Sequence, residues 1–385
     1  MIRAYVVGAG RFTAALLAAL GNLIDRLGKD VLAGVETWLT EDKHAKYGLA
    51  VTRILLGLTG VGLLLTNLRT RLYTFGAGSA WNGEAAHPSS DFPRIWAFSL
   101  FHRLALHNTW FTVAYLGLLV LAVLVVLGWR MRIVLPVYFF CWVGFAEMND
   151  LVGDQGDNMY RITIMALLFA DTAQRWSLDD RRATAAEARA DGATGLLGHV
   201  RRAWSGGRLL PRWLTNTTHN LAVVVITCHV CFVYASGALY KASGSPWQAG
   251  YAIYNPLHVT RFSPWPELAD FLTQWGPLVV LISWTSIILQ MSFPMMLTNR
   301  VTRVIALFGI LGFHLGIAIL MGLPWFSLSM IAIDAIFIRD VTWRAISDFV
   351  TETWRASRPS TAMATATAAP RASLRRRRTA ASRRS

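Results

Sequence analysis

Cysteine is scarce in this chain: 385 residues hold three, Cys141, Cys228 and Cys231. That excludes an extracellular disulfide framework. Charge is scarce too. Only 15% of residues are charged, 54% are hydrophobic and the mean hydropathy is +0.40. A soluble chain of this length carries more charge and less apolar surface. Nucleotide and metalloprotease signatures are missing: there is no P-loop, no dinucleotide glycine pattern and no H-E-x-x-H. ATP- or NAD-driven chemistry is therefore not indicated. The N-terminus lacks a clean signal-peptide core and a convincing cleavage site. It has Arg3 and Arg11, then an apolar stretch to Ile24 broken by Gly21 and Asn22. An amphipathic surface helix is expected there.

Acid is absent from the C-terminal end. From Arg355 onward there are nine arginines and no Asp or Glu, and without them the net charge falls from +15 to +6. The excess is local, so no nucleic-acid partner is expected. A basic tail beside a last membrane helix reads as a topology and anionic-lipid device.

What is present is hydrophobic length. Spans are expected at about 50–67, 110–128, 132–148, 159–174, 219–240, 276–297, 303–321 and 324–338, against the roughly 20 apolar residues a bilayer needs. The fold class is all-α, a polytopic membrane bundle of eight helices. Basic residues orient it. With eight spans, residues 1–48, the turn 129–132, loop 175–218, the turn at Arg300 and Arg303, and the tail share one side. Segment 149–158, with three acids and no basic residue, falls on the other. Both termini are then cytoplasmic and the chain sits, multi-pass, in the cell membrane. Arg69, Arg71, Arg94 and Arg103 in the first outer loop run against this pattern. The expected organisation is an amphipathic segment 1–45, a membrane domain 46–342 with 175–218 as a cytoplasmic tether, and a disordered basic tail 343–385.

Polar residues collect at the outer face. Lys241 ends a long apolar run, where an ionisable group needs a reason. It can snorkel as an anchor or serve as a base once it sheds its proton. Asp154, Asp157, Asn158 and Arg161 cluster at the start of the fourth span. Helix capping and an ion pair suffice to explain them; a polar mouth opposite Lys241 is the functional alternative. Segment 241–275 is rich in Trp, Pro and Tyr, with Trp247, Tyr251 and His258, and is expected to form a lid on the bilayer. His314 lies mid-span, as a functional group or a structural hydrogen bond between helices. Cys228 and Cys231 form a C-x-x-C within the fifth span, read first as packing residues and second as a quinone redox pair.

Two blocks carry a family resemblance. One runs from Asp157-Asn-Met-Tyr-Arg161 to Asp171-Thr-Ala-Gln-Arg-Trp-Ser-Leu-Asp179. The other is Ser236-Gly-Ala-Leu-Tyr-Lys241 with Trp247, Gly250 and Tyr251. Together they resemble the horizontally transferred transmembrane (HTTM) domain proteins over about 45–340. That family includes the vitamin K-dependent gamma-glutamyl carboxylase and a branch resembling sporulation-delaying protein B. The resemblance implies Lys241 as the base that deprotonates a reduced quinone, menaquinol or vitamin K hydroquinone, beside Asn158. Met159 stands where the animal carboxylases have a histidine. The polar mouth, the lid and the intramembrane histidine add Asp154, Asp157, Arg161, Trp247, Tyr251, His258 and His314 as candidate binding residues. The expected function is action on a quinol-type lipid or an exported peptide. The alternatives are a non-catalytic partner in maturation of a secreted peptide precursor, and a redox protein using Cys228 and Cys231.

Overall fold

The computed structural model describes residues 20–21, 25–78, 90–187 and 210–357. The predicted N-terminal surface helix falls largely outside them, as do the middle of loop 175–218 and the tail from 358. The fold divides after Ile338 into two units.

Helices are the regular structure of the first unit among its described residues, and a helix overlaps each of the eight apolar runs. These helices are α1 (Lys46–Thr66), α2 (Asn108–Leu127), α3 (Met131–Ala146), α4 (Gln155–Leu167), α5 (Arg212–Ser243), α6 (Gly276–Met296), α7 (Arg300–Leu320) and α8 (Pro324–Asp334). Five of them, α1, α2, α5, α6 and α7, are long and apolar enough to cross a membrane. The helices α3, α4 and α8 are shorter than a full span. The fourth apolar run was expected at 159–174; its helix starts earlier, at Gln155, and stops at Leu167. Asp154 caps it, and Asp171 and Thr172 behind it are engaged elsewhere. The fifth run starts earlier than 219, at Arg212, and ends at Ser243.

The central element is α1. It is the most enclosed of the five long helices, and α7 the least. It packs against α2 on one side and α8 on another. Its contact face is small: a Cβ on Gly57 would lie 2.7 Å from Val126. Helices in lipid associate through such close approach rather than through apolar burial alone. Tyrosine hydroxyls tie neighbours to α1 carbonyls. Tyr115 on α2 donates to the Leu64 carbonyl at 2.6 Å, and Tyr160 on α4 donates to that of Leu56 at 2.8 Å. Thr52 donates to the Ala332 carbonyl of α8 at 2.7 Å. Outward faces stay apolar, with Val113, Leu116 and Val120 on α2 and Val304, Ile305 and Phe308 on α7 exposed. Such contiguous apolar surface suits acyl chains.

Arg53, fully buried in α1, holds one end of the bundle together. It donates to the carbonyls of Val125 at 2.6 Å, Val126 at 2.8 Å, Trp176 at 2.8 Å and Thr172 at 3.3 Å. Its charge thus sits on the negative end of α2. Gly128 ends that helix with φ 63°, and a Cβ there would meet the guanidinium. Asp179 accepts from the backbone N–H groups of Arg130 at 2.9 Å and Met131 at 2.8 Å, the free donors at the start of α3.

A second knot lies at the start of α5. Asn220 donates to the carbonyls of Trp38, Leu39 and Asp42 and accepts from the His44 N–H. Asn216 donates to those of Thr40 and Glu41. His219 bridges the Asp171 N–H at 3.1 Å and the His44 carbonyl at 2.8 Å. Lys43 pairs with Asp171 at 2.7 Å.

Loop 175–218 was expected to be a plain tether, but it begins with a helix over Leu178–Glu187. The second unit holds one described helix, α9 (Asp340–Ser357). Trp343, Ile346, Val350 and Trp354 recur on one face, with Asp348, Glu352 and Arg355 on the other. The tail expected from 343 therefore opens with an amphipathic helix.

Candidate functional site

Lys241 lies in the last turn of α5, partly buried. Its amine donates to Gln290 Oε1 on α6 at 2.7 Å. It stands 5.4 Å from the Trp247 ring and 5.1 Å from that of Phe313, both within cation–π range. Among the described residues it forms no ion pair. Gln290 is fourteen residues into α6, or about 21 Å of helix at 1.5 Å per residue. Lys241 therefore does not sit level with the start of α6. The chain after it lies along the first half of that helix: Ile253 N–H donates to Ser283 Oγ at 3.4 Å, and Gly250 packs on Val280.

That covering segment, 244–275, is built from short helices and turns. Trp247 is half-buried beside Lys241, and Tyr251 is exposed. His258 is hydrogen-bonded away from Lys241. Its Nδ1 meets the Tyr254 carbonyl at 2.7 Å and its Nε2 meets Asp270 Oδ1 at 3.1 Å, so it joins two short helices of the cover.

Two turns below Lys241 on the same face of α5 is Tyr234. Its hydroxyl donates to Asp334 Oδ2 at 2.7 Å and lies 3.1 Å from His314 Nε2. Both expectations for His314 concern one atom pair: it is buried and bonded to a neighbouring helix. Gln290, Tyr234, Phe313 and Asp334 were not singled out in the sequence. Asp334 carried a signal, as an acid inside an apolar run. Tyr234 and Phe313 carried none.

The polar start of α4 is a separate cluster. Asp154 Oδ1 accepts from the Gly156 N–H at 2.6 Å, and Asp157 Oδ2 accepts from the Asp154 N–H at 2.9 Å, a reciprocal capping box. Burial pushes the Asp154 carboxyl up from its ordinary range, against the two backbone donors that favour its charge. Arg161 pairs with Glu147 of α3 and donates to the Asn158 amide oxygen. Asn158 and Arg161 do share a face, but the amide oxygen is engaged there rather than at Lys241. A cavity of about 130 Å³ adjoins this cluster, lined in part by Asn67, Phe75, Trp142, Phe145 and Asp157. Lys241 is not in its lining.

Two links run between the clusters. Arg261 of the cover donates to the Leu151 carbonyl at 3.4 Å, in the acidic turn ahead of α4. Phe326 lies against Gly156 on one side and 5.8 Å from the His314 ring on the other. The two blocks of family resemblance thus have different structural roles. The Asp171-to-Asp179 block ties the end of the bundle at Arg53 and Lys43. The block around Lys241 lines the covered interior.

Cys141, Cys228 and Cys231 are free thiols, with Cys228 exposed on the bundle surface. No group of three or more metal-ligating side chains occurs among the described residues.

No curated protein and no solved structure matches this chain. The HTTM domain family matches residues 196–343, from before α5 to just beyond α8. That stretch contains Lys241, Gln290, His314 and Asp334, and over it the chain is similar to the HTTM domain.

Proposed function

We propose that the covered interior around Lys241 acts on a quinol-type lipid or an exported peptide, with Lys241 as the base. The observation that carries this reading is the amine's environment. Its hydrogen-bond partner is a neutral amide and its walls are aromatic. No carboxylate pairs with Lys241 among the described residues, so its proton can leave without breaking an ion pair. A snorkelling anchor would reach for headgroups, whereas this side chain turns in towards α6 and α7. Flat aromatic walls suit a flat quinol ring.

On this reading the chain crosses the membrane eight times with both termini cytoplasmic. Asn158, Asp154, Asp157 and Arg161 form a second polar mouth on the outer face. Trp247 and Tyr251 guard the entrance to Lys241, and His258 fixes the cover. Bound quinol would supply the reducing chemistry; the protein's part is to orient it and take its proton. A second reading, a non-catalytic partner for a secreted peptide precursor, draws on the cover itself. Trp265, Phe271 and Trp275 are exposed on it, as a peptide-docking surface would require.

The test uses menaquinol and vitamin K hydroquinone added without oxygen to the purified protein in lipid nanodiscs. Wild type should give the absorbance change of a quinol losing its proton. Lys241→Arg should lose it, because arginine keeps its proton. Asn158→Ala should weaken it if the second mouth takes part. An unchanged signal in Lys241→Arg would remove the base assignment.

A further inference from the structure

Three buried groups on three helices meet at one hydroxyl. Tyr234 of α5 donates to Asp334 of α8 and lies against His314 of α7. All three side chains are buried. At the free ends of the trio, His314 Nδ1 and Asp334 Oδ1 are buried with no partner among the described residues. Unpaired buried polar atoms are costly. A purely structural bond between helices would not require two of them, one at each end.

A hydroxyl donates and accepts, and each end group has a second site for a proton. The trio therefore has two arrangements of equal charge. In the first, Tyr234 donates to Asp334 Oδ2, His314 Nε2–H donates to Tyr234, Asp334 Oδ1 bears a proton and His314 Nδ1 bears a lone pair. In the second, Asp334 Oδ2–H donates to Tyr234, Tyr234 donates to His314 Nε2, Nδ1 bears the proton and Oδ1 is bare.

We propose that His314, Tyr234 and Asp334 form a buried proton relay. A proton enters at His314 Nδ1. The Nε2 proton passes to the Tyr234 oxygen, the tyrosine proton passes to Asp334 Oδ2, and the Oδ1 proton leaves. One proton enters, one leaves, and no other bond changes; the reverse direction follows the same steps. The walls are aromatic: Phe293 packs on Tyr234 at 4.8 Å and Phe326 lies beside His314. Phe313 links Lys241 to this trio, 5.1 Å from its amine and 5.2 Å from the His314 ring. Cys231, one turn before Tyr234 on α5, is within electrostatic reach of Asp334. The relay rests on the Lys241 reading only for its purpose, since a base must shed each proton it takes.

The test is an infrared pH titration of the full chain in liposomes. The carboxyl band is assigned by its loss in Asp334→Asn, and the imidazole bands by isotope labelling and their loss in His314→Gln. In wild type both should change over one pH interval. In Tyr234→Phe, which keeps the ring against Phe293 and removes the hydroxyl, the two changes should separate. Asp334→Asn should shift the imidazole midpoint, a readout that survives if Tyr234→Phe fails to fold. Independent titration in wild type, coupling retained without the hydroxyl, or an unshifted imidazole in Asp334→Asn would each overturn the relay. Lys241→Arg should leave the coupling in place, so the relay and the base assignment fail by different results.

Discussion

Replacing Arg53 by methionine should cripple the bundle without touching the Lys241 region. Methionine keeps approximate length and apolar stem but removes every donor. Four carbonyls then lose their partner, those of Val125, Val126, Thr172 and Trp176. A hydrogen bond to a charged group contributes about 1.5–3 kcal/mol. Against the sum stands the cost of burying a guanidinium, several kcal/mol. Some carbonyls at the end of α2 would regain water. The balance is a loss of about 3 kcal/mol, a large part of the ~5–15 kcal/mol that holds a typical domain. Arg53→Lys should recover part of this, because a compact ammonium cannot reach four acceptors spread over two segments. The assay is thermal inactivation in mild detergent, followed by size-exclusion recovery of the folded peak. Arg69→Met, at an exposed position, controls for loss of one positive charge. An Arg53→Met midpoint equal to that of wild type would refute the clamp.

Three further outcomes complete the set, beside the Lys241→Arg test above. Single cysteines at 153 and 195, in a background lacking the native three, should be labelled from opposite sides of the membrane; labelling from one side removes the eight-span reading. Cys228→Ala and Cys231→Ala should leave quinol ionisation and abundance near wild type, and loss of that signal at normal abundance would revive the redox reading. Asp154 supplies a pH dependence. Its folded pKa is raised by burial, so its contribution to stability is full below the unfolded value and is lost as pH rises through the folded one. Asp154→Asn keeps the cap oxygen and should flatten that slope, while Asp154→Ala should flatten it too and lie about 1 kcal/mol below Asp154→Asn through loss of the cap; an unchanged slope in Asp154→Asn would contradict the assignment.

The sequence exposed the apolar runs because lipid-facing helices must be apolar along their length. It could not show where α4 stops, since Asp171 and Thr172 are taken up by Lys43 and Arg53 from a segment over a hundred residues away. Lys241 was visible as a charge at the end of an apolar run. Its inward turn was not, because Gln290 reads as one polar residue in a hydrophobic helix. Arg53 had the same kind of signal as Lys241, an ionisable group in a span, and went unread because it lies near a run of basic residues. The Asn158–Arg161 contact followed from helical spacing. The separation of that pair from Lys241 depends on tertiary packing, which spacing does not encode.

The central place of α1 has a consequence for how the protein is made. The first of the eight bundle helices packs against the eighth: Thr52 bonds to Ala332, and Trp325 Nε1 donates to Thr66 Oγ1 at 3.1 Å. The strap over 38–44 likewise waits for Asn216 and Asn220. Pairings so distant in sequence form slowly. During synthesis, α1 must rest in the bilayer with its small-residue face on lipid and Arg53 short of its full set of acceptors. A nascent chain halted before α8 would leave Thr52 and Thr66 without Ala332 and Trp325, and would be a target for membrane quality control rather than a stable half-bundle.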